Sequence, residues 1–250
     1  MKIRLEQRSA GPFIALVLSS FIFGIGFCTS AYAQPSSSIC GGLRNSFGPY
    51  DYRDQVGSTD YKNNPNNPLF LVESAHFRPE MDALIRGGQG ERSDVGPEFD
   101  YTLRAFPNHH KALEAMIRLG EKLHTDQPRG SRYPIDCWFE RAIRFRSNDA
   151  IVRMIYATYL GKQKRLPEAI KQLEVTNGLA KDNGFTHYNI GLIYLDLEKP
   201  DRALEQAHIA YALGMQHPEL REKLMSSGHW REPAAAAASS QPASAPGSPQ

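Results

Sequence analysis

Residues 187–214 read HYNIGLIYLDLEKPDRALEQAHIAYALG, and this stretch carries the strongest structural signal in the chain of 250 residues. Compact residues stand at Gly191, Ala203 and Ala210, with Tyr194 and several leucines between them. Small side chains at a helix crossing let two backbones approach, and larger apolar side chains fill the space that remains. We therefore interpret the stretch as two packed helices whose apolar residues form a core.

The spacing of compact residues repeats upstream of this stretch. Intervals of 34 residues separate Ala142, Thr176 and Ala210, then Ala169 and Ala203, and also Ala157 and Gly191. A period of about 34 residues is typical of paired helices in the tetratricopeptide repeat (TPR). The quoted stretch resembles that family, because Ile190-Gly191-x-x-Tyr194 is similar to its Leu-Gly-x-x-Tyr motif. It departs from the family at His187, where Trp is common, and at Met215, where a proline is expected.

The resemblance implies an all-α fold, an α-solenoid of TPR helix hairpins. The predicted helical domain covers 80–232: a degenerate half-unit near 80–109, full units at about 110–149, 150–183 and 184–217, and a closing helix over 218–230. The unit at 110–149 is about six residues longer than the period, and a loop rich in Pro, Gly and Ser within 123–136 accommodates the excess. Three repeats are about the minimum for a stable stack, and a terminal helix covers the last apolar face.

Both ends of the chain are expected to lie outside this domain. Residues 1–33 combine a basic start, an apolar run and the small residues of Ala31-Tyr32-Ala33, which is the layout of a signal peptide cleaved before Gln34. An uncleaved anchor is the alternative reading. Residues 34–79 are predicted to be an irregular N-terminal extension. The Pro/Ala/Ser tail at 233–250 is predicted to be disordered, because it has no charged, aromatic or branched aliphatic residue.

The signal peptide predicts an exported bacterial protein, periplasmic or secreted, with no stable membrane insertion after cleavage. Removing residues 1–33 takes away the net charge of +2 and leaves a nearly neutral chain. A neutral chain without a basic stripe argues against nucleic acid as a partner. Two cysteines then remain, Cys40 and Cys137, and an even pair in an oxidising compartment predicts a disulfide. The alternative is one buried and one exposed free thiol.

Chemistry-bearing motifs are missing from the sequence, so we predict no enzyme, no cofactor and no metal site. The adjacent His109 and His110 point about 100° apart on a helix and are expected at an exposed helix start, capped by Asn108. The run Gly87-Gly88-Gln89-Gly90 lacks the Gly-Lys-Ser/Thr ending of a phosphate loop and is expected to be a flexible surface loop.

The family resemblance implies a concave groove that binds peptide segments and is lined by the first helix of each repeat. Carried over by position, the candidate lining residues are Lys111, Glu114, Arg118, Ile151, Met154, Thr158, Lys162, Phe185, Tyr188, Asn189 and Leu192. Asn189 stands where many members hold an Asn that binds the ligand backbone. Ile151 and Ile155 stand where members that clamp a C-terminal carboxylate need polar residues, so such a ligand is not expected.

Two functions from different classes follow. The leading hypothesis is an exported adaptor or scaffold that binds another envelope protein or a peptide segment of it. The alternative is a periplasmic accessory protein that binds a small ligand or glycan through aromatic residues of the N-terminal part of the chain: Phe47, Tyr50, Tyr52, Tyr61, Phe70 and Phe77. The segment CGGLRNSFGPYDYR at 40–53 is read either as a tethered cap on the helices or as a recognition element.

Overall fold

A computed structural model describes residues 39–58, 61–84 and 94–233 of the chain. Within these ranges every regular element is a helix, so the expected all-α class is confirmed. None of these helices is long and apolar enough to cross a membrane. The predicted signal peptide at 1–33, the Gly87–Gly90 loop and all but the first residue of the predicted tail lie outside the described residues.

Four helices precede the region with the 34-residue period. They are α1 (Tyr52–Val56), α2 (Pro68–His76), α3 (Pro79–Asp82) and α4 (Gly96–Ala105). The extension at 34–79 is therefore not irregular throughout, which corrects the sequence-based expectation. Asn67 begins α2, because its side-chain oxygen accepts hydrogen bonds from the backbone N–H groups of Leu69 at 2.8 Å and Phe70 at 3.2 Å. Asn followed by Pro at the first helical position is a helix-start signal that the sequence reading missed.

Seven helices follow. They are α5 (His110–Leu123), α6 (Ile135–Phe145), α7 (Ala150–Lys162), α8 (Leu166–Ala180), α9 (Gly184–Asp196), α10 (Pro200–Ala212) and α11 (Glu219–Ser226). Each contacts the next along the chain, and the contacts within the pairs α7–α8 and α9–α10 are the most extensive. The odd-numbered helices also contact one another in series, α5 with α7, α7 with α9, and α9 with α11. These four helices consequently lie side by side.

Side-chain caps begin α5, α7 and α9. His109, Asp149 and Asn183 each accept a hydrogen bond from a backbone N–H three residues later, at 3.0–3.2 Å. Such caps satisfy N–H groups that have no partner within the helix. His109, rather than the predicted Asn108, caps α5. Asn108 is instead fully buried and bonded to two aspartates.

The compact residues of the repeating pattern lie in the main core. Ala142, Ala157, Ala169, Thr176, Ala203 and Ala210 are all fully buried. A Cβ atom on Gly191 would lie 2.6 Å from Leu220 Cδ2 and 3.4 Å from the Ala203 carbonyl oxygen, so α9 leaves little room for any side chain there. A second apolar cluster lies under the N-terminal segment and contains Tyr52, Leu69, Val72, Ala105 and Phe106.

Candidate functional site

An open cavity of about 500 Å³ lies along one face of α5, α7 and α9. Its lining residues are Glu114, Ile117, Arg118, Ile151, Met154, Ile155, Thr158, Tyr159, Lys162, Phe185, Asn189 and Ile193. They recur at intervals of three and four residues on each helix, which places them on one side of it. We call this feature the α5–α7–α9 cavity.

Most of the residues carried over from the family resemblance line this cavity. They are Glu114, Arg118, Ile151, Met154, Thr158, Lys162, Phe185 and Asn189. Lys111, Tyr188 and Leu192 do not. Lys111 lines a separate depression beside α2. Tyr188 is buried with its ring 5.9 Å from that of His217, and Leu192 is half-buried against the core.

Helical phase explains which residues of α9 reach the cavity. Phe185, Asn189 and Ile193 follow one another at four-residue intervals and share a face. Tyr188 and Leu192 form a second row, about 100° away around the helix, and therefore meet its other neighbours. Ile193 also lines the cavity but is not among the residues predicted from the sequence, although its position four residues after Asn189 indicates the same helix face.

Two large apolar side chains of the cavity face solvent. Phe185 is 59 % exposed and Ile151 is 43 % exposed. Met154 and Ile117 are buried beneath the surface of the same cavity. Exposed apolar residues grouped in a concave site are typical of surfaces that bind a partner or ligand.

The cations of the cavity are held by carboxylates at its edges. Arg118 donates to the Asp82 carboxylate and, at 3.0 Å, to the Asp82 backbone carbonyl. The Nζ of Lys162 lies 2.8 Å from Oε1 of Glu121. Asn189 donates through Nδ2 to the carbonyl oxygen of Phe185 at 2.7 Å, and its Oδ1 accepts no hydrogen bond from the described residues. This oxygen can accept a backbone N–H from a bound segment.

The segment at 40–53 is bound firmly to the helices. Cys40 and Cys137 form the predicted disulfide, with Cα atoms 5.1 Å apart. The guanidinium of Arg141 donates to the carbonyl oxygens of Cys40 at 3.0 Å and Gly42 at 2.7 Å, and Arg144 donates to that of Gly41 at 2.6 Å. Two arginines of α6 thus hold three consecutive backbone carbonyls beside the disulfide.

Asp51 anchors the far end of the same segment. Burial by itself would raise the pKa of this carboxyl, but hydrogen bonds from Arg53, Asn108 and Arg146 hold it well below its usual range. The Arg146 Nε lies 2.6 Å from Asp51 Oδ2, and the Asn108 amide lies 2.7 Å from Oδ1. A buried carboxylate with several charged or amide donors is strongly stabilised in its ionised form.

Asn108 connects this anchor to the start of α7. Its Oδ1 accepts from the backbone N–H of Tyr52 at 3.0 Å, and its Nδ2 also donates to Asp149 at 2.9 Å. The ring of His110 lies 3.0 Å from the same Asp149 carboxylate. The polar residues at the junction of α4 and α5 therefore join the N-terminal segment to the next helix pair.

His109 is fully buried, which corrects the expected exposed helix start. Burial lowers its pKa, so the ring is neutral at pH 7. The neutral ring can accept the Ala112 N–H through Nδ1 while its Nε2–H donates to Glu73 at 3.2 Å. The ring of Tyr52 stacks on it at a centroid distance of 4.2 Å. This histidine therefore has a structural role at the start of α5.

Most of the aromatic residues proposed to stack on a glycan already have partners within the protein. Tyr52 and Phe77 are buried. The ring centroid of Tyr50 lies 5.3 Å from that of Phe47 and 5.5 Å from that of Phe106. Tyr61 is half-buried against the second apolar cluster. Together with Phe70 it lines a depression of about 510 Å³ that also includes Lys62 and Lys111.

Comparisons with protein-family models, with curated proteins and with solved structures found no match to this chain. Its function is accordingly inferred from the geometry of the α5–α7–α9 cavity and of the segment bound to α6.

Proposed function

We propose that the chain is an exported TPR protein that acts as an adaptor, binding a peptide segment of another envelope protein in the α5–α7–α9 cavity. The 34-residue spacing supports assignment of the pairs α5–α6, α7–α8 and α9–α10 as TPR hairpins in a solenoid. The serial contacts of α5, α7, α9 and α11 are the contacts expected of the first helices in such a stack.

The observation that carries the binding proposal is the cavity itself. Phe185 and Ile151 present apolar surface to solvent inside it, and Asn189 offers an amide oxygen beside them. A bound segment covers the apolar side chains and donates a backbone N–H hydrogen bond to Oδ1 of Asn189. Complete burial of a fully exposed phenylalanine contributes about 1.5–3 kcal/mol. Phe185 is 59 % exposed, so covering it contributes about 0.9–1.8 kcal/mol and makes it a major anchor.

Export is supported by the sequence of residues 1–33 and by the disulfide. Cys40 and Cys137 are joined over a separation of 97 residues. Disulfides persist in oxidising compartments such as the bacterial periplasm. We therefore place the adaptor in the periplasm or outside the cell.

A display library of random twelve-residue peptides, selected on the full disulfide-bonded chain, tests the proposal. Phe185→Glu should weaken the selected peptides at least about tenfold, because it puts a charge on the main apolar anchor. Met225→Glu is the matched control, since Met225 on α11 is 57 % exposed and lies outside the cavity. Selected peptides that bind both variants equally, or a selection that yields no specific peptide, would contradict binding in this cavity.

The second candidate function, glycan or small-ligand binding, has one supporting observation. Tyr61 and Phe70 line the depression beside α2 together with two lysines. Titration calorimetry with soluble cell-wall fragments tests it, and heat that disappears in Tyr61→Ala would favour this function over peptide binding.

A further inference from the structure

We propose that the segment bound in the α5–α7–α9 cavity carries a lysine or arginine that pairs with Glu114, between aliphatic or aromatic residues that cover Phe185 and Ile151. This inference rests on the proposed peptide-binding function and specifies the chemistry of the partner.

Glu114 is the charged residue of the cavity that forms no ion pair with any residue in the described ranges. It lies on α5, is exposed, and lines the cavity. Its carboxylate forms no hydrogen bond or ion pair with any residue that the structure describes. Lys111, one turn earlier on α5, lines the neighbouring depression instead.

The two cations of the cavity are in the opposite situation. Arg118 is paired with Asp82, and Lys162 with Glu121. Glu114 together with these two pairs carries a net charge of −1, from three carboxylates and two cations. An acidic segment would have to displace an existing carboxylate from Arg118 or Lys162, whereas a basic residue meets Glu114 without breaking an ion pair. Charge complementarity therefore favours a basic partner.

The apolar part of the cavity sets the second requirement. Ile151 and Phe185 are exposed, while Ile155 and Ile193 are half-buried beside them. A purely basic peptide leaves these side chains in contact with water. A segment with one basic residue between apolar residues pairs with Glu114 and also covers Ile151 and Phe185.

The tail of this chain does not meet these requirements. Residues 233–250 contain no lysine, no arginine, no aromatic residue and no branched aliphatic residue. Residues 233–250 are therefore excluded as the occupant, and the proposed occupant is a segment of a partner protein.

The experiment repeats the twelve-residue display selection on the full disulfide-bonded chain and on three variants. Glu114→Gln removes the carboxylate, and Glu114→Lys reverses the charge. Glu205→Gln is the matched control, since Glu205 is an exposed carboxylate on α10 outside the cavity. Individual selected peptides are then measured by fluorescence anisotropy at low and high salt.

Peptides selected on the unmodified chain should be enriched in Lys or Arg over Asp or Glu, next to apolar residues. Glu114→Gln should weaken them about two- to fivefold, the range expected of an exposed ion pair, and high salt should reduce that difference. Glu114→Lys should weaken them further and select peptides without the basic enrichment. Glu205→Gln should change nothing.

Two failures are distinguishable. Peptides that bind through Phe185 but show no basic enrichment, or that bind Glu114→Gln as tightly as the unmodified chain, overturn the charge assignment and leave peptide binding intact. A selection whose peptides are all insensitive to Phe185→Glu overturns the proposed function as well. Competition by a synthetic peptide of residues 233–250 at micromolar concentration would overturn the inference that the occupant comes from another protein.

Discussion

Replacing both bridged cysteines, Cys40→Ser together with Cys137→Ser, should lower the free energy of unfolding by about 4–5 kcal/mol. The bridge closes a loop of 97 residues. In the chain-entropy account, a loop of this length lowers the conformational entropy of the unfolded chain and so stabilises the native state by about 4.7 kcal/mol at 25 °C.

This loss of stability should arise because the unfolded chain gains conformational entropy without the disulfide, and not because the native state rearranges. Arg141 still binds the carbonyls of residues 40 and 42, and Asp51 is still held by Arg53, Arg146 and Asn108. These contacts keep the segment at 40–53 on α6 when the disulfide is gone. The native helix content should therefore be unchanged.

Urea unfolding followed by circular dichroism measures the effect, with and without a reducing agent. Reduction should destabilise the unmodified chain to the level of the double variant and should leave the double variant unaffected. A loss below about 1 kcal/mol would refute the loop-closure reasoning. Two alkylatable thiols at these positions in native, unreduced protein would refute the disulfide itself.

Further predictions concern pH and backbone conformation. Because burial keeps the pKa of His109 below its unfolded value of about 6.5, the native state should be stable above that pH and should lose stability as the pH falls. His109→Gln should remove this pH dependence, as measured by urea midpoints between pH 7 and pH 5, and an unchanged slope would contradict the assignment. Gly48 has a φ of +93°, and a Cβ there would lie 2.5 Å from the Ala105 carbonyl oxygen. Gly214 has a φ of +86° with open space around the position of a Cβ, so Gly214→Ala should cost only the backbone strain of about 1–2 kcal/mol. Gly48→Ala should destabilise the protein more, because its Cβ also clashes. Equal losses of stability in thermal unfolding would contradict the steric argument.

The helices of residues 110–226 were predictable because their signals are local or periodic. Compact residues at a 34-residue spacing indicate where helices cross, and Gly191 and Ala203 lie at such a close approach. The disulfide was predictable from the number of cysteines, since only two remain after residue 33. The positions carried over from the family resemblance also placed Arg118, Met154, Thr158 and Phe185 on one surface, and all four line the cavity.

The sequence by itself determined the all-α class through the 34-residue spacing, the disulfide through the number of cysteines, and most of one cavity face through the resemblance to the repeat family. The rotational phase of α9, which sends Tyr188 into the interior and Ile193 to the cavity, depends on which neighbours each side of the helix meets. The burial of His109 and Asn108 depends on Glu73, Asp51 and Asp149, which lie 36 to 57 residues away in sequence. Only packing brings such distant groups within hydrogen-bond distance, so the tertiary structure alone decided these roles, and it also left Glu114 without an ion-pair partner among the described residues.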